Sequence, residues 1–161
     1  PEGGEARQLT SEADGVFPAG PAAWSPDGTQ LAYFSRYNDD TDLGTNKVIP
    51  AAGGKARVVT EVQGVFANKE LAWSPDGRRI AFNASPSGRR PYTVPNLIKV
   101  VSLEDGSIEE IVPDLENVEA IYHLDWSPDG ETLVFGGYMG GGPELWLIEG
   151  FLSPSMSQRD K

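Results

Sequence analysis

One hexapeptide pattern occurs three times in this chain, and each copy runs into a short apolar segment. Ala23-Trp24-Ser25-Pro26-Asp27-Gly28 leads to Leu31-Ala32-Tyr33-Phe34, and Ala72-Trp73-Ser74-Pro75-Asp76-Gly77 leads to Ile80-Ala81-Phe82. Asp125-Trp126-Ser127-Pro128-Asp129-Gly130 leads to Leu133-Val134-Phe135. The tryptophans are 49 and 53 residues apart, and the copies align without gaps. A repeat of this length means one supersecondary unit stacked on its own kind. The residue types say which unit. Proline fixes φ, aspartate bonds its own backbone and glycine accepts positive φ, so each Ser-Pro-Asp-Gly tetrad is a tight turn. Apolar runs on either side make it the turn of a β-hairpin.

A second landmark follows in phase. Gly53-Gly54-Lys55-Ala56-Arg57 precedes Val58-Val59-Thr60, and Asp105-Gly106-Ser107 precedes Ile108-Glu109-Glu110-Ile111. A partial copy opens the chain at Gly3-Gly4-Glu5-Ala6-Arg7-Gln8-Leu9-Thr10. The pattern predicts strands at about 21–25, 30–35, 46–50 and 56–60, then at about 70–74, 79–84, 97–103 and 108–112, then at about 121–126, 132–136 and 143–148. Four strands per roughly 40–50 residues is the blade of a β-propeller. Nineteen glycines and thirteen prolines in 161 residues, with no Gly-X-Y period, suit an all-β chain with many turns.

Trp-Ser-Pro-Asp-Gly before an apolar strand, then a Gly-Gly hairpin and an Arg-x-Leu-Thr-type strand, resembles the WD-like repeat of the TolB-like β-propeller family. The resemblance covers nearly the whole chain. It implies a propeller, usually of six or more blades in one chain, and an extracytoplasmic setting, periplasmic or extracellular. The third copy departs from the pattern, with Asp-Gly-Ser in place of Gly-Gly and no last strand.

These signals divide the chain into a three-blade unit over 1–150 and a C-terminal tail over 151–161. Within the unit, 1–10 is an outer strand that closes a blade, 20–60 is blade 1, 61–112 is blade 2 and 113–150 is blade 3, which lacks its outer strand. The spare strand at Ala6–Leu9 and the missing one beside Glu144–Ile148 are complementary. Two chains about a twofold axis would supply six blades, exchanging these strands in a homodimer; the alternatives are a fragment of a longer propeller, or open edges covered by another protein.

Composition removes several function classes. The formal charge is -11, so a phosphate backbone and an anionic membrane surface are repelled. Cysteine is absent, which excludes disulfides, thiolate nucleophiles and thiolate-held metals. No stretch is long and apolar enough for a transmembrane helix. The chain starts at Pro1 rather than Met, so the lack of a signal peptide carries no weight.

Candidate binding residues fall in the connections that follow second strands. Tyr37, Asn38, Asp39, Asp40 and Asp42 form an acidic loop with an aromatic. Arg89, Arg90 and Tyr92 form a basic one, and Tyr138 lies in the glycine-rich stretch Gly136–Pro143. Long loops on a rigid scaffold are where binding concentrates, and Tyr offers contact area with a polar tip. The acidic loop carries oxygen donors of the kind Ca²⁺ takes but lacks the EF-hand spacing, so no metal or cofactor is predicted. His123, the single histidine, sits on an innermost strand and completes the candidate set. No Gly-x-Ser-x-Gly elbow, histidine pair or phosphate-cradling loop is present. The sequence predicts a non-catalytic module that recognises a protein or peptide through its long-loop face. The alternative is an enzyme or metal-dependent site in the central channel.

Overall fold

Each Ser-Pro-Asp-Gly segment closes its hairpin with the same hydrogen bonds in the computed structural model, which describes residues 4–10, 16–37, 43–63, 70–84, 97–114, 118–139 and 142–152. The glycine N–H of each tetrad donates to the serine carbonyl at 2.9 Å, closing a β-turn. The serine N–H donates to the carbonyl five residues on, again at 2.9 Å in all three copies. The serine hydroxyl accepts the N–H of that same residue, which is Gln30, Arg79 or Thr132. Gly28, Gly77 and Gly130 sit at φ of 69°, 72° and 76°, the left-handed region that a side chain enters only with strain.

The hairpins grow into three antiparallel sheets. The first contains β1 (Val16–Trp24), β2 (Gln30–Tyr37), β3 (Leu43–Pro50) and β4 (Arg57–Gln63) in sequential order. The second contains β5 (Leu71–Trp73), β6 (Arg79–Ala84), β7 (Leu97–Ser102) and β8 (Ile108–Ile111), also sequential. The third contains β9 (Val118–Trp126), β10 (Thr132–Met139) and β11 (Gly142–Glu149). β1 lies beside β5, and β5 beside β9, so the first strands neighbour one another. This is the arrangement of propeller blades, and each sheet is one blade.

The core is made between blades, not within them. Strand alternation gives every blade two apolar faces. Ala32, Phe34 and Val48 of blade 1 pack against Trp73, Ile80, Phe82 and Val101 of blade 2 in one buried cluster. Ala81, Ile98 and Val100 on the other face of blade 2 pack against Ile121, Leu133 and Phe135 of blade 3 in a second. Phe34, Phe82 and Phe135 are fully buried, and each contributes about 1.5–3 kcal/mol through area removed from water.

The strands match the sequence pattern, with local differences. β1 starts at Val16 and β4 runs to Gln63, so blade 1 is longer at both ends than the turn signals suggest. Residues 4–10, which include the strand expected at Ala6–Leu9, carry no strand within the chain. Arg7 is instead bonded to the carbonyls of Ala51 and Ala52 in the β3–β4 turn. Phe151 and Leu152 pack on the second core, and the Phe151 ring lies 5.4 Å from that of Trp126.

Candidate functional site

The two ends of the blades are built differently. At one end lie the Ser-Pro-Asp-Gly turns and the β3–β4 and β7–β8 turns, all short. The Asp27 carboxylate accepts from the Ser25 hydroxyl at 2.6 Å, from the Thr29 N–H at 3.0 Å and from the Thr29 hydroxyl at 2.9 Å. Those bonds, that from Ser25 foremost, hold its pKa below the usual 3.8. Asp129 is held down likewise, first by Ser127 and then by the Glu131 N–H. At Asp76, burial pushes the pKa up, but bonds from Ser74 and the Arg78 N–H and the charge of Arg79 outweigh it, and the net shift is downward. This end is rigid by construction.

At the opposite end lie the connections from second to third strands and from blade to blade. Residues 38–42 join β2 to β3, and residues 85–96 join β6 to β7. Asn38, Asp39, Asp40, Asp42, Arg89, Arg90 and Tyr92 lie outside the described residues. Tyr37 is the last residue of β2, at the rim of that end.

Tyr138 is not in a loop. β10 runs to Met139 and β11 starts at Gly142, so most of the stretch expected as a flexible connection is strand. The glycines there serve packing. A Cβ on Gly137 would lie 3.2 Å from the Trp146 ring, and one on Gly136 would lie 3.4 Å from the Tyr122 carbonyl oxygen. By register, Tyr138 shares a blade face with Tyr122, Val134, Leu145 and Leu147. It therefore points off the side of blade 3 that faces away from blade 2.

His123 is exposed on β9, with φ of 52°, the one non-glycine residue in the left-handed region among those described. The cause is local. Tyr122 pairs with Gly136 and Asp125 with Val134, so His123 and Leu124 bulge opposite Phe135 alone. Its ring centroid lies 6.4 Å from that of Tyr122. Among the described residues, no three His, Asp or Glu side chains gather as metal ligands would, and no helix is long and apolar enough to cross a membrane.

Sequence reasoning missed Tyr122, Leu145 and Leu147, all exposed on that side of blade 3. One signal was present. The residue before the tryptophan is alanine in the first two copies and Asp125 in the third.

The three-blade architecture matches known propellers. TolB from Acinetobacter baumannii superposes with a TM-score of 0.64 at 22% identity, over 84% of this chain and 30% of TolB. An oligogalacturonate lyase in complex with manganese gives 0.70 at 19% identity, over 94% of this chain and 39% of the lyase. A chain of a nidogen/laminin complex gives 0.58 at 12%, over 80% of this chain and 43% of that one. The chain thus spans about a third to two-fifths of these structures, and what the likeness shows is the β-propeller fold, TolB among its bearers. No family model and no curated protein matches the sequence.

Proposed function

We propose that this chain is a non-catalytic propeller module that holds a protein or peptide at the end opposite its Ser-Pro-Asp-Gly turns. The observation that carries this is the division between the two ends. Five short hydrogen-bonded turns lock one end, while the twelve residues of 85–96 and the five of 38–42 leave the other. The chemistry of those connections suits a peptide. Asn38, Asp39, Asp40 and Asp42 bring acid, Arg89 and Arg90 bring base, and Tyr37 and Tyr92 bring aromatic area. The likeness to TolB adds a periplasmic or extracellular setting.

A peptide-display selection tests this. Selected peptides should lose at least tenfold in affinity for Arg89→Ser/Arg90→Ser and for Asp39→Asn/Asp40→Asn/Asp42→Asn. Equal binding to the wild type and both variants would reject it.

An enzyme or metal-dependent site in the central channel is the second reading, and His123 favours it. A histidine held at positive φ on a first strand is the kind of local strain that functional sites store. Thermal shift with Mn²⁺ or Ca²⁺ separates the two. Stabilisation that His123→Gln abolishes supports the channel site, and no shift removes it.

A further inference from the structure

The apolar side chains that blades 1 and 3 leave exposed gather on the two end faces of the arc. On blade 1, Trp24 and Val58 lie by register on the face turned away from blade 2, which also carries Leu31 and Lys47 and the buried Tyr33 and Ile49. Trp24 on β1 is 60% exposed there, and Val58 on β4 is exposed too. On blade 3 the corresponding outward face carries Leu145 and Leu147, 78% and 68% exposed, with Tyr122 and Tyr138.

The repeat shows what such faces take. Trp73 and Trp126 occupy the position of Trp24 in their own blades, and each is only 7% exposed. Each lies on the blade before it and donates its Nε1–H to the carbonyl of the residue preceding that blade's tryptophan. Trp73 reaches the Ala23 carbonyl at 3.1 Å, and Trp126 the Ala72 carbonyl at 3.2 Å. The next carbonyl in this series belongs to Asp125. The other half of the contact repeats too. Ile98 and Val100, at the positions of Leu145 and Leu147 in blade 2, are fully buried under blade 3. One chain therefore holds both the unseated tryptophan and the uncovered seat. Asp125 stands where blades 1 and 2 have alanine, and its carboxylate folds back to accept the Trp126 N–H at 2.9 Å.

The strand edges agree. β11 has β10 on one side and no described strand on the other, and its Leu-Trp-Leu-Ile run is an open edge that propellers normally cover. Residues 4–10 are held on blade 1 by Arg7 and form no ladder.

We propose that a second copy of this chain completes the arc. Trp24 of each copy packs over Asp125, Val134 and Leu147 of the other and donates to the Asp125 carbonyl. Residues 6–9 of each add the fourth strand to the sheet of β9–β11 in the other. Three blades from each copy make a ring of six, and the same seam forms twice about a twofold axis. The long-loop end of the blades is left untouched, so the interface stands independently of what that end binds.

Light scattering on the full chain, from micromolar to millimolar concentration, tests this. The wild type should reach twice the chain mass of 17.3 kDa. Trp24→Ala and Leu147→Arg should each return it to 17.3 kDa. Both substitutions change exposed side chains, and an unchanged circular dichroism spectrum verifies that the variants fold. A wild type that stays monomeric at every concentration would overturn the proposal. So would a species of three or more copies, or a dimer that both variants retain.

Discussion

The guanidinium of Arg79 lies 5.6 Å from the ring centroid of Trp126, across the seam between blades 2 and 3. The same group donates to the Asp76 carboxylate at 2.9 Å, so the turn of one blade is tied to the tryptophan of the next. Arg79 is buried, which makes its attraction to the ring stronger than at an exposed site. Arg79→Ala should cost about 2 kcal/mol, from the lost cation–π contact and from Asp76 left without its cation. Arg79→Lys should recover only part of this, because an ammonium lacks the planar fork that serves both partners. Urea denaturation of the two variants measures both effects.

Gly44 faces the Phe34 ring so closely that an added Cβ would lie 2.3 Å from its Cζ. Phe34 is fully buried in the core between blades 1 and 2. Gly44→Ala should therefore destabilise the chain by about 1–3 kcal/mol through overpacking. Gly28→Ala, at a position open around its Cβ, should destabilise through backbone strain alone. Combining Gly44→Ala with Phe34→Leu should restore part of the loss in the first case, and thermal denaturation reads it.

The blades were legible because their turns are chemically specific. Ser25, Ser74 and Ser127 each do the same two jobs, donating to an aspartate two residues on and accepting a backbone N–H five residues on, and few sequences other than Ser-x-Asp-Gly can do both. The apolar runs beside them then fix which side chains face a neighbouring blade. Exposure was not legible in the same way. Trp24 and Trp73 stand in the same hexapeptide, Ala-Trp-Ser-Pro-Asp-Gly, yet one is exposed and the other buried, because burial depends on what lies across the seam. Tyr138 was misplaced for a different reason. Its glycine neighbours read as loop residues, whereas they make room for Trp146 and for the backbone of β9. The charged candidates on the long connections lie outside the described residues, so their arrangement rests on sequence alone.

Acid should weaken the chain through its turns. Asp27, Asp76 and Asp129 all have folded pKa values below the usual 3.8. A carboxylate of lowered pKa contributes stability that is fully present above the unfolded value and is lost as pH falls through the folded one. Stability should therefore drop below about pH 4, with the proton uptake accompanying unfolding reversed in sign from a group of raised pKa. Ser127→Ala removes the foremost cause of the shift at Asp129 and should flatten the slope of stability against pH in this range. Urea titrations at a series of pH values compare the slopes, and equal slopes would show that the turn does not carry the effect.

The two interblade cores share no buried residue, which makes their energies separable. Trp73 closes the first seam with its bond to the Ala23 carbonyl, and Trp126 closes the second with its bond to the Ala72 carbonyl. Trp73→Phe and Trp126→Phe should each cost about 2 kcal/mol, with roughly half from the hydrogen bond and half from buried ring area. Effects at independent sites add to within about 0.5 kcal/mol. The double variant should therefore lose about 4 kcal/mol. A smaller loss would mean that blade 2 transmits strain from one seam to the other, through the strands β5, β6 and β7 that contribute residues to both cores. Chemical denaturation of the wild type, both single variants and the double variant completes the cycle and decides between independent seams and a coupled arc.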